Sequence, residues 1–134
     1  MKKPNSQHLL APVAKLIGFR LVKASQGAAV CEMLTSDLHK SAIGRVHGGI
    51  LCDLADATMG CAFLSQIPSS RKGVTTNLQI IFLKGVRVGQ RLRAAAKVLS
   101  HGRSVYFMEC EIRNGLGELV AKASSTCKVL PKRR

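Results

Sequence analysis

Between Val46 and Phe63 the chain reads VHGGILCDLADATMGCAF. Wound as a helix, this stretch is apolar almost all the way round, and such a helix is stable only where other elements cover it. The rest of a 134-residue chain therefore has to supply a layer that wraps it. Two residues resist that burial. Asp53 and Asp56 lie inside the run, and an ionised carboxylate in apolar surroundings is costly unless a partner or a function holds it there.

The flanking sequence reads as that layer. Leu9, Leu10, Val13, Leu16 and Ile17 recur at helical spacing, Pro12 suits a first turn and Gly18 a stop, which predicts a short helix over Pro12 to Ile17. Phe19 to Ser25 and Ala28 to Thr35 flank Gln26-Gly27 as a hairpin. Ser36 to Arg45 reads as loop, and the long helix as Gly48 to about Ser65, ended by Pro68, Ser69 and Ser70. The period then changes to two. In Val74 to Leu83, Leu78, Ile80 and Phe82 share one face and Thr75, Asn77 and Gln79 the other; Gln90 to Leu99 alternates Leu92, Ala94, Ala96 and Val98 against Arg91, Arg93 and Lys97. Ser104 to Arg113 and Leu119 to Val129 follow after turn signals. Successive hairpin strands with one very apolar helix describe an α+β domain whose antiparallel sheet wraps a central helix. The mixed outer face of the sheet points to contact with another subunit.

Length predicts a single domain over residues 1–134, with Met1 to Ser6 frayed and a basic tail at 131–134. No stretch is long and apolar enough to span a membrane, so the chain is expected to be soluble and cytoplasmic. The five cysteines, Cys31, Cys52, Cys61, Cys110 and Cys127, are odd in number, lack C-x-x-C spacing and lie in apolar segments, as buried free thiols do in a reducing compartment. The 21 Lys and Arg against 7 Asp and Glu leave a formal charge of +14. Such a field attracts polyanions: nucleic acid, an acidic carrier protein, or a nucleotide-bearing substrate such as coenzyme A. With five aromatic residues and no helix-turn-helix, zinc-finger or RNA-recognition signature, no nucleic-acid partner is expected.

The chemistry concentrates where the long helix begins. Its first amides have no intrahelical acceptor and lie at the positive end of the dipole, and glycines there let a carbonyl oxygen come close. Gly48 and Gly49 are thus candidates for an oxyanion site, or a tight loop entry that needs small residues. Asp56 is offset from Gly48 by about 80° around the helix and, flanked by Ala55 and Ala57, is the catalytic candidate; a buried structural aspartate bonded to a loop is the alternative. Asp53 needs only the dipole and a basic neighbour. His47 reads as a residue that fixes the loop so that the amides point correctly. His8, His39 and His101 are scattered, so no metal site is predicted.

The segment Ser41-Ala-Ile-Gly44-Arg-Val-His47-Gly-Gly49, with Leu54-Ala-Asp56 and with Gly73-Val-Thr75 ahead of Phe82-Leu83-Lys84, resembles the hotdog-fold thioesterases, specifically their phenylacetate-type (PaaI-like) branch. The likeness runs from Phe19 to Val129. It implies a hotdog fold and hydrolysis of acyl-CoA thioesters by a homodimer or a homotetramer built as a dimer of dimers, with active sites at the dimer interface and Asp56 supplied by the partner subunit. No cofactor is implied beyond coenzyme A as part of the substrate, and an acyl carrier protein is the alternative carrier. Position by position, the resemblance makes Gly48 the backbone donor to the thioester carbonyl, Asp56 the general base or nucleophile, Thr75 the hydroxyl that orients the attacking water, and His47 the motif histidine. Ser41 stands where relatives commonly carry Asn or Gln, and its shorter hydroxyl weakens polarisation or changes the substrate. Lys84-Gly85 replaces a frequent Arg-Pro. Gly49, Lys84, Arg87, Arg91 and Arg103 are the substrate-binding candidates, the four cations for the phosphates of coenzyme A. The rival readings are a hotdog hydratase, a non-catalytic acyl-CoA-binding or regulatory module, and a nucleic-acid binder.

Overall fold

The computed structural model describes residues 10–132. The expected fraying of residues 1–6, His8, and Arg133 and Arg134 of the basic tail lie outside them. A short helix, α1 (Val13–Ile17), stops at Gly18, whose φ of 97° lies in the left-handed region that favours glycine. It leads into a hairpin of β1 (Phe19–Ser25) and β2 (Ala28–Leu34). Gln26 and Gly27 turn it with φ of 51° and 81°, the two positive values that a tight primed turn requires. The 36–45 segment, expected as loop, contains a 3₁₀ turn at Asp37–His39. Ser36 N–H donates to His39 Nδ1 at 2.9 Å, while His39 Nε2 meets the Ile17 carbonyl at 2.7 Å, so this histidine ties the end of α1 to the loop as a neutral ring.

The central helix, α2, spans Gly48–Leu64. β3 (Gly73–Phe82), β4 (Arg91–His101), β5 (Val105–Asn114) and β6 (Leu119–Val129) follow. The six strands form one antiparallel sheet in the order β1-β2-β4-β5-β6-β3, with α2 lying on its concave face. Leu51, Leu54, Ala55, Thr58, Met59, Cys61, Ala62 and Phe63 of α2 are buried against inward residues such as Cys31, Met33, Leu92, Ala94, Met108, Cys110 and Ile112. The sheet covers only part of the helix. Ile50, Ala57, Gly60 and Leu64 are half-buried and Asp53 is exposed, so within one protomer α2 keeps a flank that its composition had predicted to be covered.

Strict alternation along β3 puts Thr75 on the face away from Leu78 and Ile80. The structure corrects this. The register slips between Thr75 and Asn77, with Thr75 opposite Cys127 and Leu78 opposite Ser125, both buried inward residues of β6. The extra residue of such a bulge flips the parity of everything before it, and Thr75 thereby turns toward α2. At the start of the same strand, a Cβ on Gly73 would overlap the Phe63 ring and lie 2.9 Å from the Lys128 carbonyl oxygen, so β3 can approach α2 here only with glycine.

Candidate active site

The site is built outward from the first turn of α2. His47 is its N-cap, with φ −63° and ψ 136°, and its Nδ1 accepts the Gly49 N–H at 2.9 Å. The Ile50 N–H turns back to the His47 carbonyl at 3.0 Å. Of the amides that a helix start leaves without acceptors, these two are satisfied, and the Gly48 N–H is the one that has no partner among the described residues. Gly49, expected to contact substrate, instead donates its amide to the cap. The loop carrying these groups is pinned on both sides, by His47 N–H to the His39 carbonyl at 2.7 Å and Val46 N–H to the Val86 carbonyl at 3.0 Å.

Gly48 opens onto a groove of ≈ 400 Å³ walled by Val46, Leu51, Phe82 and Leu83, with Ser41 at its edge. The Ser41 Oγ is buried and has no hydrogen-bond partner among the described residues. The groove therefore offers the Gly48 amide in a mostly apolar setting, and Ser41 in its lining keeps a buried, unused hydroxyl. Phe82 is the wall nearest the amide: a Cβ at residue 48 would lie 3.0 Å from its Cζ, so glycine keeps the amide open. Sequence reading assigned Phe82 only to a strand face; its role as the groove wall follows from where β3 ends.

Asp56 lies two turns along α2, where the Thr75 hydroxyl donates to its Oδ1 at 2.8 Å and the Cys127 sulfur is 3.7 Å from that hydroxyl. The Asp56–Thr75 pair is the unit that the β3 bulge creates. Eight residues of helix place Gly48 and Asp56 about 12 Å apart along the axis, too far for one carbonyl carbon to meet both. One protomer thus brings Gly48 and Ser41 together, and Asp56 and Thr75 together, but not the two pairs. Asp53 is exposed and, among the described residues, has no salt bridge. Partial burial, then the Asp56 charge, push its carboxyl above the ordinary aspartate range.

Of the proposed cations, Lys84 lines the groove itself and, with Arg87 and Gln90, a second cleft of ≈ 460 Å³; Arg45 lines both. Lys84 is paired with Glu118, which holds that carboxyl below its ordinary range through the lysine and Asn114. Arg45 was missed, although it sits inside the segment quoted above; its bridge partner is Arg87. Arg91 is exposed at the near end of β4, outside both clefts. Arg103 lies past the far end of β4, roughly 35 Å of strand from Arg91, apart from Lys84 and Arg87 within one protomer.

All five cysteines are reduced thiols, and Cys52 alone is not buried. Burial pushes the Cys127 thiol up and Cys110 to about 12; the hydrogen bond to the Cys31 sulfur, with burial, drives Cys61 up; burial and the charges of Asp53 and Asp56 raise Cys52. Raised thiols are poor nucleophiles. Among the described residues no three His, Cys, Asp or Glu side chains converge as a metal site.

The thioesterase superfamily profile matches residues 43–121, the segment that carries the groove, α2 and β3 to the start of β6. The chain belongs to the thioesterase superfamily. Human acyl-coenzyme A thioesterase 13 is 30% identical over 107 residues, covering 79% of this chain and 76% of that protein. Among solved structures, the E. coli PaaI protein from the phenylacetic acid degradation operon superposes with a TM-score of 0.79 at 28% identity, covering 86% of each chain. A hypothetical thioesterase protein of Streptococcus pneumoniae, solved with coenzyme A, gives a TM-score of 0.79 at 26% identity over 87% of this chain and 89% of its own. The hotdog expectation and the PaaI-like likeness both hold.

Proposed function

We propose that this thioesterase hydrolyses acyl-CoA thioesters to the free acid and coenzyme A. The carrying observation is the mostly apolar groove onto which Gly48 opens at the start of α2, with Ser41 in its lining keeping a buried hydroxyl that has no partner among the described residues. That is the equipment needed to hold a thioester carbonyl oxygen as it becomes an oxyanion, at the positive end of a helix. The names of the human relative and the coenzyme A of the S. pneumoniae neighbour support the carrier.

The other half of the chemistry is a carboxylate. Thr75 engages Asp56 Oδ1, which leaves Oδ2 to take a proton from water or to attack directly. In the water route, the water oxygen bonds to the carbonyl carbon as its proton passes to Asp56. Collapse of the tetrahedral adduct then breaks the C–S bond, and the leaving sulfur takes the proton back. Because one protomer separates Gly48 from Asp56 by about 12 Å, Asp56 acts on a carbonyl held by the partner subunit. β3 is one of the two sheet edges, β1 being the other, and exposes Val74, Ile81 and Phe82. An exposed strand edge with apolar side chains of this kind invites pairing with a second copy, and antiparallel β3–β3 pairing across a twofold axis assembles two complete sites. A homotetramer of two such dimers and a cytoplasmic location are parts of the same proposal; no helix among the described residues is long and apolar enough to cross a membrane.

The test is thiol release across a panel of aryl and short- and medium-chain acyl-CoA esters, with Asp56→Asn alongside. The amide still accepts the Thr75 hydrogen bond but takes up no proton, and kcat should fall about 10²- to 10⁴-fold. Acyl-CoA binding without turnover in the wild type would place the protein with the non-catalytic binders.

A further inference from the structure

The surplus of positive charge is not spread evenly. On the outer face of the sheet most cations have a carboxylate beside them: Arg20 and Arg93 pair with Glu32, Lys97 with Glu109, and Arg113 and Lys122 with Glu111, while Lys23 and Arg91 make no ion pair among the described residues. At the end of the molecule where β3 begins, Arg71, Lys72, Arg103, Lys128 and Lys132 make no ion pair among the described residues. They are held together by the backbone. Leu130 N–H donates to the Lys72 carbonyl at 2.8 Å and Val129 N–H to the Ser104 carbonyl at 2.7 Å, and Lys128 lies between Val74 and Val105 in the sheet register. Arg71 Nη2 is fixed to the Leu130 carbonyl at 2.7 Å, its Nε is buried without a partner among the described residues, and the side chain lines a cleft of ≈ 290 Å³ with Ser70, Lys72 and Lys132. The sequence continues into Arg133 and Arg134. Like charges gathered without counter-charge oppose folding and favour an anionic partner.

Antiparallel β3 pairing sets the Gly73 end of one subunit beside the Phe82 end of the other, so this cluster flanks the groove mouth that carries Arg45 and Arg87. Together they give each mouth seven cations without an ion pair among the described residues. Free coenzyme A brings roughly four negative charges, from a diphosphate and a phosphate monoester, and covers only part of such a rim.

Resting on the thioesterase reading above, we propose that the acyl group arrives on an acidic carrier protein, whose negative surface docks on the Arg71, Lys72, Lys128 and Lys132 rim while its phosphopantetheine arm delivers the thioester to the groove. Charge complementarity of this kind acts mainly on encounter rate and is screened by salt.

The experiment compares the acyl group turned over best, loaded on purified acidic acyl carrier protein and on coenzyme A, with wild type and with a Lys72→Glu, Lys128→Glu, Lys132→Glu variant. All three side chains are exposed, and a Lys→Gln triple variant with an unchanged melting temperature controls for folding. The expected result is a loss of about 10-fold or more in kcat/KM on the carrier at low salt, with kcat kept and the acyl-CoA value within about threefold. The Gln variant should fall between, and salt of about 0.5 M should close the gap. Equal losses on both substrates would overturn the proposal by assigning the rim to coenzyme A phosphates. No change on the carrier, no hydrolysis of the carrier thioester beside good acyl-CoA turnover, or a loss confined to DNA retention would overturn it too. Failure to hydrolyse either thioester would overturn the thioesterase reading with it.

Discussion

Replacing Ser41 by alanine separates what the site needs from what the fold needs. The Ser41 Oγ is buried without a hydrogen-bond partner among the described residues, although the residue's backbone is fully used: its N–H donates to the Arg45 carbonyl at 2.6 Å and its carbonyl accepts the Gly44 N–H at 3.0 Å. A buried hydroxyl without a partner costs about 1–3 kcal/mol. The residue is half-buried, so the lower part of that range applies, and Ser41→Ala should stabilise the protein by about 1 kcal/mol, raising Tm by about 3–5 °C for a domain of this size. If the hydroxyl is held in reserve for the thioester carbonyl, the same change should lower kcat/KM about 10- to 100-fold, somewhat less than the loss of a backbone oxyanion donor. Thermal melts and thiol-release kinetics on one preparation read both numbers. A more stable and slower enzyme fits the reasoning; a less stable variant, or one with unchanged kcat/KM, refutes it. Ser41→Asn, which installs the longer amide common in the resembled family, should restore or exceed the wild-type rate.

Gly73→Ala should unfold or strongly weaken the protein, by about 2–4 kcal/mol in denaturant titration, because the new methyl overlaps the Phe63 ring and the Lys128 carbonyl. His47→Ala removes the acceptor of the Gly49 amide and should cost about 1 kcal/mol of stability as a lost N-cap, with a drop in kcat as the Gly48 loop loses its anchor. Thr75→Val keeps the shape but deletes the hydrogen bond to Asp56; kcat should fall about 10-fold with KM little changed. Asp53 carries a raised carboxyl pKa, so its contribution to stability is present below the ordinary aspartate value and is lost as pH rises through the raised one. Asp53→Asn should therefore melt above wild type at pH 7–8, with the gap closing below about pH 4, in melts run across that range.

The order of elements was legible because each carries its own period. Gln26-Gly27 sits between two strand-like runs and turns them as expected, and α2 begins at the glycine where the apolar run begins. What alternation could not carry was the slip between Thr75 and Asn77. A bulge leaves no mark in hydrophobic pattern when the residues around it, Thr75, Thr76 and Asn77, are all polar, so Thr75 read as outward while its motif neighbours marked it as a site residue. The resemblance and the geometry agree here, and period alone disagrees with both.

The site itself was only half legible for a related reason. Angular offset around a helix ignores axial rise: 80° places Asp56 on a sector near Gly48, while eight residues of rise carry it about 12 Å away. In the proposed site the two groups that cooperate across that separation belong to different molecules, and nothing in a single chain's spacing encodes a twofold axis. What the single chain does encode is an edge strand left apolar at Val74, Ile81 and Phe82, with Gly48 at one end of it and Asp56 at the other. Phe82 touches the Gly48 end and Thr75 the Asp56 end, so β3 measures the distance between the two half-sites. Antiparallel pairing of that strand with its own copy inverts the order and sets each Gly48 against the other subunit's Asp56. A charged substitution at the centre of the edge, Ile81→Lys, should therefore yield a folded monomer that binds acyl-CoA weakly and hydrolyses it at the background rate. Sedimentation velocity and thiol release on the same sample decide it, and a monomer with full turnover would refute the two-subunit site.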